Sequence, residues 1–306
     1  MVSTGQEDPT SPPPPGGGGG GFTSAMAPSP AKREDSTSRG TRRRRRLIGV
    51  STKMYFSAAR TEAFIRGVVG LLSSSTLTLD DVDVFVIPDF VTITSVIAAV
   101  RSAPEGSMAG RVLVGAQDCY SEDYGPFTGE VSPAVLAEVG VRLVELGHAE
   151  RKRLFGETDG RVNEKVRGVV RNGMVPLICV GELRNDGGVE RAVEEVIKQV
   201  RVVLEGIGDE AEVVLAYEPV WAIGASEPAG VEHVKGVVRG LRGWKGVRDR
   251  GDRVRVIYGG AAGRGLWERL GGEVDGLFLG RFGHDAGEFV KMVREVGGLG
   301  GPGAEG

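Results

Sequence analysis

Eight short apolar runs recur along this chain, and longer stretches with apolar residues three and four apart lie between them. The runs are residues 47–51, 82–87, 111–115, 141–146, 175–180, 213–217, 254–258 and 274–279. Between them fall sets such as Phe64, Val68, Val69 and Leu72, or Val193, Val196, Ile197 and Val200. A continuous apolar run suits a strand buried on both faces, whereas three–four spacing gives a helix one apolar stripe. Strict alternation of the two makes βαβ units, whose strands run parallel. Eight units in about 250 residues close most simply into a single α/β domain, a (β/α)8 barrel. An open doubly wound sheet is the alternative, but no G-x-G-x-x-G follows the first run.

A barrel of this kind makes a demand on the sequence. Functional side chains belong at the C-terminal strand ends, where the βα loops gather. Lys53 follows the first run, His148 the fourth and Glu218 the sixth; Gly259-Gly260 follow the seventh and Gly280 the eighth. Alone, Glu218 would read as a solvated charge. Pro219, Val220, Trp221 and Ile223 surround it in sequence, however, and apolar enclosure raises a carboxyl pKa and strengthens the base. A lone histidine is more often structural than catalytic, yet His148 is one of only three and stands at a strand end. His233 reads as a surface or packing residue inside a helix. His284 precedes Asp285 and Glu288, a capping pair for the last helix. Lys53 is either a solvated lysine or a fixed cation for a phosphate or a developing oxyanion. The glycines at 259, 260 and 280 either make turns or offer N–H groups to a phosphate, and Gly224 can add another donor.

The flanks read differently. Residues 1–45 hold four consecutive prolines, six consecutive glycines and a Ser/Thr/Arg-rich stretch, with little to bury, so a disordered tail is expected. Residues 298–306 read as a flexible Gly-rich tail, leaving 46–297 for the barrel. The arginines at 42–46 read as a solvated basic tail, with a weak nucleic-acid or import signal as the alternative. Formal net charge is −3, so no global basic field points to nucleic acid. No apolar stretch of about 18 residues suggests a membrane span. Two cysteines, Cys119 and Cys179, lack metal-ligand spacing and argue against a disulfide framework, which makes the cytoplasm the expected location.

The run A-Y-E-P-V-W-A-I-G at 216–224 resembles the catalytic strand and lid of the triosephosphate isomerase family. Collinear matches follow that family along the whole barrel: V-G-A-Q-D-C-Y at 114–120, F-T-G-E-V-S at 127–132, L-G-H-A-E-R at 146–151 and F-G-E-T-D at 155–159. They continue with V-N-E-K-V at 162–166, I-C-V-G-E at 178–182, Y-G-G at 258–260 and D-G-L-F-L-G at 275–280. The resemblance implies a TIM barrel and a proton-transfer isomerase. Glu218 would be the base beside the carbonyl of a phosphorylated ketose, and neutral His148 would polarise that carbonyl. This pairing is one for which the family is the type case. Lys53 would stabilise the enediolate, and a lid over 219–229 would exclude water. No metal or organic cofactor is implied. Thr128 would lie at the loop that enters a neighbouring subunit of a homodimer. Glu150 would sit near the lysine, Arg151 would form a structural ion pair and Cys179 would pack.

Departures from the family pattern cluster away from the acid–base trio. Where relatives carry N-W-K-M-N, this chain has S-T-K-M-Y, so Ser51 stands for the substrate-contacting asparagine. Ala261 stands for a serine after the seventh strand, and Arg281 for the second glycine after the eighth. Arg281 either blocks a backbone donor or supplies a phosphate clamp. The segment 226–229 lacks the family's lysine–threonine pair. Gln117-Asp118 and the G-R run at 280–281 resemble a branch that acts on tetrulose phosphates. A triose phosphate (dihydroxyacetone phosphate and glyceraldehyde 3-phosphate) is the first expectation, an erythrulose-type tetrulose phosphate the second, and a non-catalytic sugar-phosphate-binding barrel the third.

Overall fold

A computed structural model describes residues 45–74, 82–224, 229–260 and 262–298. The strands are β1 (Arg46–Ser51), β2 (Val82–Ile87), β3 (Leu113–Ala116), β4 (Leu143–Leu146), β5 (Val175–Val180), β6 (Val213–Tyr217), β7 (Val254–Gly260) and β8 (Gly276–Leu279). They pair in chain order as one closed parallel barrel, with Leu47 to Val50 of β1 in register with Gly276 to Leu279 of β8. The surrounding helices are α1 (Ala58–Ser73), α2 (Ile93–Arg101), α3 (Pro133–Val139), α4 (Ala149–Phe155) and α5 (Asp159–Arg171). They continue as α6 (Gly188–Val203), α7 (Val231–Gly243), α8 (Lys245–Arg248), α9 (Leu266–Leu270) and α10 (Ala286–Gly297). The expected TIM barrel is the fold.

Strand boundaries shift for local reasons. β3 and β4 begin two residues later than the apolar runs suggest. Arg111 belongs to a 3-10 turn, and Val141 N–H donates to Leu136 O at 2.9 Å instead of joining a ladder. β7 runs on through Gly259 and Gly260, in register with Phe278 and Leu279. The tails expected at 1–45 and 298–306 lie outside the described residues, except for Arg45 and Gly298. Arg45 pairs with Asp83 at 3.1 Å, and Gly298 ends α10 in the left-handed conformation.

Two apolar shells hold the barrel. Alternate strand residues point inward, and Leu47, Phe85, Leu143, Leu177, Val214 and Phe278 fill the interior. The residues between them, such as Ile48, Val84, Val144 and Ile178, meet the helices. On α6 the buried positions Ala192, Val196, Val200 and Val203 fall four, four and three apart, as a helix lying on the sheet requires. Beneath the interior shell Arg255 pairs with Asp83 at 2.9 Å and Glu212 at 2.7 Å, so a buried guanidinium closes the N-terminal mouth. The expected cap of the last helix is present in one direction: Glu288 N–H donates to Asp285 Oδ1 at 2.9 Å. The Glu288 carboxylate instead takes Arg264 and Lys291. Among the described residues no helix is long and apolar enough to cross a membrane.

One glycine shows how tightly the interior is filled. A Cβ on Gly49 would lie 2.3 Å from the fully buried ring of Phe85, which packs on Phe278 with centroids 5.4 Å apart. Gly49→Ala therefore forces the ring aside and should lower unfolding free energy by ~1–3 kcal/mol. Urea denaturation is the measurement, and Phe85→Leu should recover part of the loss in the double variant. An unchanged midpoint for Gly49→Ala would refute this packing account.

Candidate active site

Three loops at the C-terminal ends of β1, β4 and β6 bring Lys53, His148 and Glu218 together. Glu218 follows β6 directly, its N–H donating to Val180 O at 2.8 Å, which locks it to β5. His148 caps the start of α4: its Nδ1 accepts the Glu150 N–H at 3.1 Å, so the ring proton of the neutral form sits on Nε2. That Nε2 lies 3.5 Å from Glu218 Oε2. Lys53 Nζ binds Glu150 Oε1 at 2.9 Å. Its backbone has φ 47°, and among the described residues it is the one non-glycine in the left-handed region. Gln117 Nε2 supports this strained turn by donating to Lys53 O at 2.9 Å.

Burial sets the charges. Glu218 is 7% exposed, and loss of water raises its carboxyl to about 7, with Lys53 opposing the shift. Burial likewise depresses His148 to about 4, helped by the Lys53 charge and opposed by Glu150, so the ring is neutral at physiological pH. Burial pulls the Lys53 ammonium down, but Glu150, Glu218 and Glu145 outweigh it and leave the pKa raised. A neutral N–H donor, a cation and a poised carboxylate thus face one small space. Among the described residues Glu218 Oε2 is buried without a hydrogen-bond partner, as suits an atom meant for a ligand.

Glycine makes this arrangement possible. A Cβ on Gly259 would stand 2.3 Å from Glu218 Oε1, so the residue expected to serve a phosphate also leaves room for the carboxylate. Gly259, Gly260 and Gly280 do meet at the ends of β7 and β8, since a Cβ on Gly280 would come 3.2 Å from Gly260 O. Arg281 opens a 3-10 turn (Arg281–His284) with its side chain exposed. Ala261 and residues 225–228 lie outside the described residues. Gly224 is exposed at φ 76°. Ser51 is buried, its Oγ accepting the Lys53 N–H at 3.4 Å. Thr128 is exposed on the loop between β3 and α3.

The sequence reading missed two acids. Glu182, 1% exposed, collects Tyr217 Oη at 3.1 Å, Trp221 Nε1 at 2.8 Å and His233 Nε2 at 2.9 Å. It anchors the near end of the 219–229 segment, while Ala229 N–H donates to Tyr258 Oη at 3.3 Å at the far end. His233, expected to be a surface or packing residue, also stacks edge-on to Trp221. Glu145 interrupts β4 and is buried inside the barrel; the signal was a charged residue at an inward position of an apolar run. Arg151 pairs with Asp118 at 2.6 Å, and Lys165 bridges Asp118 and Glu157, tying the β3 loop to α4 and α5.

The histidine geometry has a spectroscopic consequence. Nitrogen-15 NMR should find His148 as the Nε2–H tautomer, with no protonation between pH 8 and about 5, because its value lies near 4 and not at 6.5. With the folded value depressed, the unfolded chain binds more protons below pH 6.5, so this residue's contribution to stability is lost as pH falls towards 4. Titration of His148 near 6.5 would contradict the burial argument.

Comparison with known proteins agrees with the geometry. The Triosephosphate isomerase family model matches residues 46–296. The chain is 40% identical over 261 residues to the L-erythrulose-1-phosphate isomerase of Pectobacterium atrosepticum, covering 83% of this chain and 96% of that protein. It is 36% identical over 255 residues to the L-erythrulose-1-phosphate isomerase of Rhizobium meliloti, covering 81% and 96%. To the Triosephosphate isomerase of Syntrophotalea carbinolica it is 33% identical over 262 residues, covering 82% and 98%. With an eight-stranded barrel, a family match across its length and relatives that are isomerases, this chain belongs to the triosephosphate isomerase family.

Proposed function

We propose that this chain is an isomerase that moves a carbonyl between adjacent carbons of a short phosphorylated ketose through an enediolate. The observation that carries the reading is the buried, unpartnered Glu218 oxygen 3.5 Å from the Nε2 of a neutral His148. Glu218 takes the proton from the carbon beside the carbonyl, and its raised basicity suits that task. His148 Nε2–H donates to the carbonyl oxygen as negative charge develops there, and the ring takes the proton of the adjacent hydroxyl in return, so that one O–H replaces the other as the carbonyl moves. Lys53 offsets the enediolate charge, and Glu218 returns the proton to the neighbouring carbon. Gly224, Gly259, Gly260, Gly280 and Arg281 serve the phosphate, and Ser51 faces the carbon chain.

The preferred substrate on this reading is a tetrulose phosphate of the erythrulose 1-phosphate type. Relatives bearing that name share 36–40% identity with the chain. Ser51, shorter than asparagine, leaves room for a fourth carbon. Triose phosphate is the second reading, supported by a relative of that name at 33% identity and by the full acid–base trio. A non-catalytic sugar-phosphate-binding barrel would not need all three of Glu218, His148 and Lys53. We further propose a homodimer in the cytoplasm. Met54 and Tyr55, 96% and 53% exposed beside Lys53, suit the loop that carries Thr128 from a second copy, and both thiols are free and buried.

Two measurements test this. Comparison of kcat/KM for erythrulose 1-phosphate and for dihydroxyacetone phosphate should favour the former by a hundredfold or more, ~2.7 kcal/mol in transition-state binding. A preference for the triose would transfer the proposal to the second reading. Glu218→Gln should lower kcat by ~100-fold or more while phosphate binding persists. In the unaltered enzyme kcat/KM should fall as pH drops through about 7, where Glu218 gains a proton. Full activity of Glu218→Gln would end the enediolate reading.

A further inference from the structure

His284 stands just before the Asp285 cap of α10, yet its ring serves another strand. Its Nε2 lies 3.0 Å from Ser51 O at the end of β1, and a carbonyl only accepts, so Nε2 carries the proton. The ring stands edge-on to Phe56, with centroids 4.9 Å apart, and tilts on Tyr55 at 5.5 Å. Phe56 is itself held, packed edge-on to Phe64 at 5.6 Å and covered by the Arg60 guanidinium at 4.0 Å. The turn Arg281–His284 comes this close to β1 because Gly283 has no side chain. A Cβ there would lie 2.9 Å from Leu279 Cβ and 3.1 Å from Val50 Cγ2. Burial lowers the His284 pKa; the bond to Ser51 O opposes that, and the charges of Arg60, Lys53 and Arg281 add to it, so the ring is neutral at physiological pH.

Ser51 O heads the turn that carries Lys53. Thr52 N–H donates to Ile87 O at 2.9 Å, Tyr55 N–H closes the turn on Thr52 O at 3.2 Å, and between them Lys53 holds φ 47°. A residue other than glycine stays in that region only where its surroundings enforce it. Gln117, after β3, holds one side of the turn through Lys53 O at 2.9 Å. His284, after β8, holds the other. We propose that His284 is a positioning residue: by gripping Ser51 O and packing on Tyr55 and Phe56 it fixes the Lys53 turn to the Arg281–His284 turn, so that the ammonium keeps its place beside Glu150. It touches neither substrate nor reacting atoms and acts through Lys53. Arg281 opens the same 3-10 turn, so the groups assigned to the phosphate and to the enediolate keep one separation. The inference rests on the isomerase reading above for its kinetic consequences.

The test uses the full chain with His284→Phe, His284→Gln, His284→Asn, Lys53→Met and the Lys53→Met/His284→Phe double variant. Phenylalanine keeps the aromatic packing and loses the donor. Glutamine places an amide N–H where Nε2 stood, and asparagine is too short to reach Ser51 O. His284→Phe and His284→Asn should each lower kcat/KM ~10-fold or more, since a small misplacement of a charge-stabilising group is costly. The loss should fall on kcat more than on KM, because Lys53 acts on charge that develops in the reaction. His284→Gln should recover most of it. The double variant should be no worse than Lys53→Met alone, since both changes act on the same ammonium. Wild-type kinetics of His284→Phe, failure of His284→Gln to rescue, or multiplying losses in the double variant would each overturn the proposal. If His284→Phe does not fold, His284→Asn against His284→Gln carries the comparison. Crystal structures of the free variants separate this idea from the choice of reaction. In His284→Phe, Lys53 should leave its left-handed conformation and lose its contact with Glu150, whereas His284→Gln should keep both. A Lys53 turn unmoved in His284→Phe overturns the proposal whatever the activity. A displaced turn, with no turnover in the unaltered enzyme, would sink the isomerase reading instead.

Discussion

β8 lies against β1, and every catalytic geometry in this molecule depends on that closure. The contact is so close that a Cβ on Gly276 would stand 1.6 Å from Leu47 O, so only glycine fits there. Closure removes the two free sheet edges and fixes the spacing of all eight strand ends. Lys53, His148 and Glu218 come from strands one, four and six, far apart in sequence. They meet because the ring of hydrogen bonds is complete.

A closed barrel also withholds water from its top layer. Removal of water raises both Glu218 and Glu145 and lowers His148; the Lys53 charge opposes the shift at the two carboxyls and adds to it at the histidine. Each shift follows from one cause acting on different charge types: burial disfavours whichever form is charged. The consequence is a site with a neutral histidine ring beside a carboxyl that gains or loses its proton near pH 7. Glycine at 259 contributes as much as any charged group, because any side chain there would occupy the position of the Glu218 carboxylate.

The barrel was legible because strand and helix periodicities are local. A run such as 175–180 suits a strand buried on both faces, as in a parallel sheet covered by helices, and α6 carries its stripe whatever its neighbours. Glu218 and His148 were legible because they sit at strand ends within long family-like runs. Glu182 was not, since nothing near it in sequence announces that Tyr217, Trp221 and His233 converge on it. Glu145 gave a faint signal, a charge inside an apolar run, but Lys53 and Glu218, whose charges act on it, follow other strands. The late starts of β3 and β4 were hidden for a related reason: apolar residues such as Val112 and Val141 serve turns as readily as ladders.

The sequence by itself determined the alternation of elements, the closed parallel barrel and the loops that bear the acid, the histidine and the lysine. Those properties depend on residues near one another in the chain, and on the apolar surface each segment must bury. The tertiary structure alone decided which polar atoms lose water and which charges face them. It sets the His148 tautomer, the left-handed turn at Lys53, the convergence on Glu182 and the burial of Glu145. Electrostatic environment is a sum over neighbours in space, and a barrel draws those neighbours from strands that the chain keeps far apart.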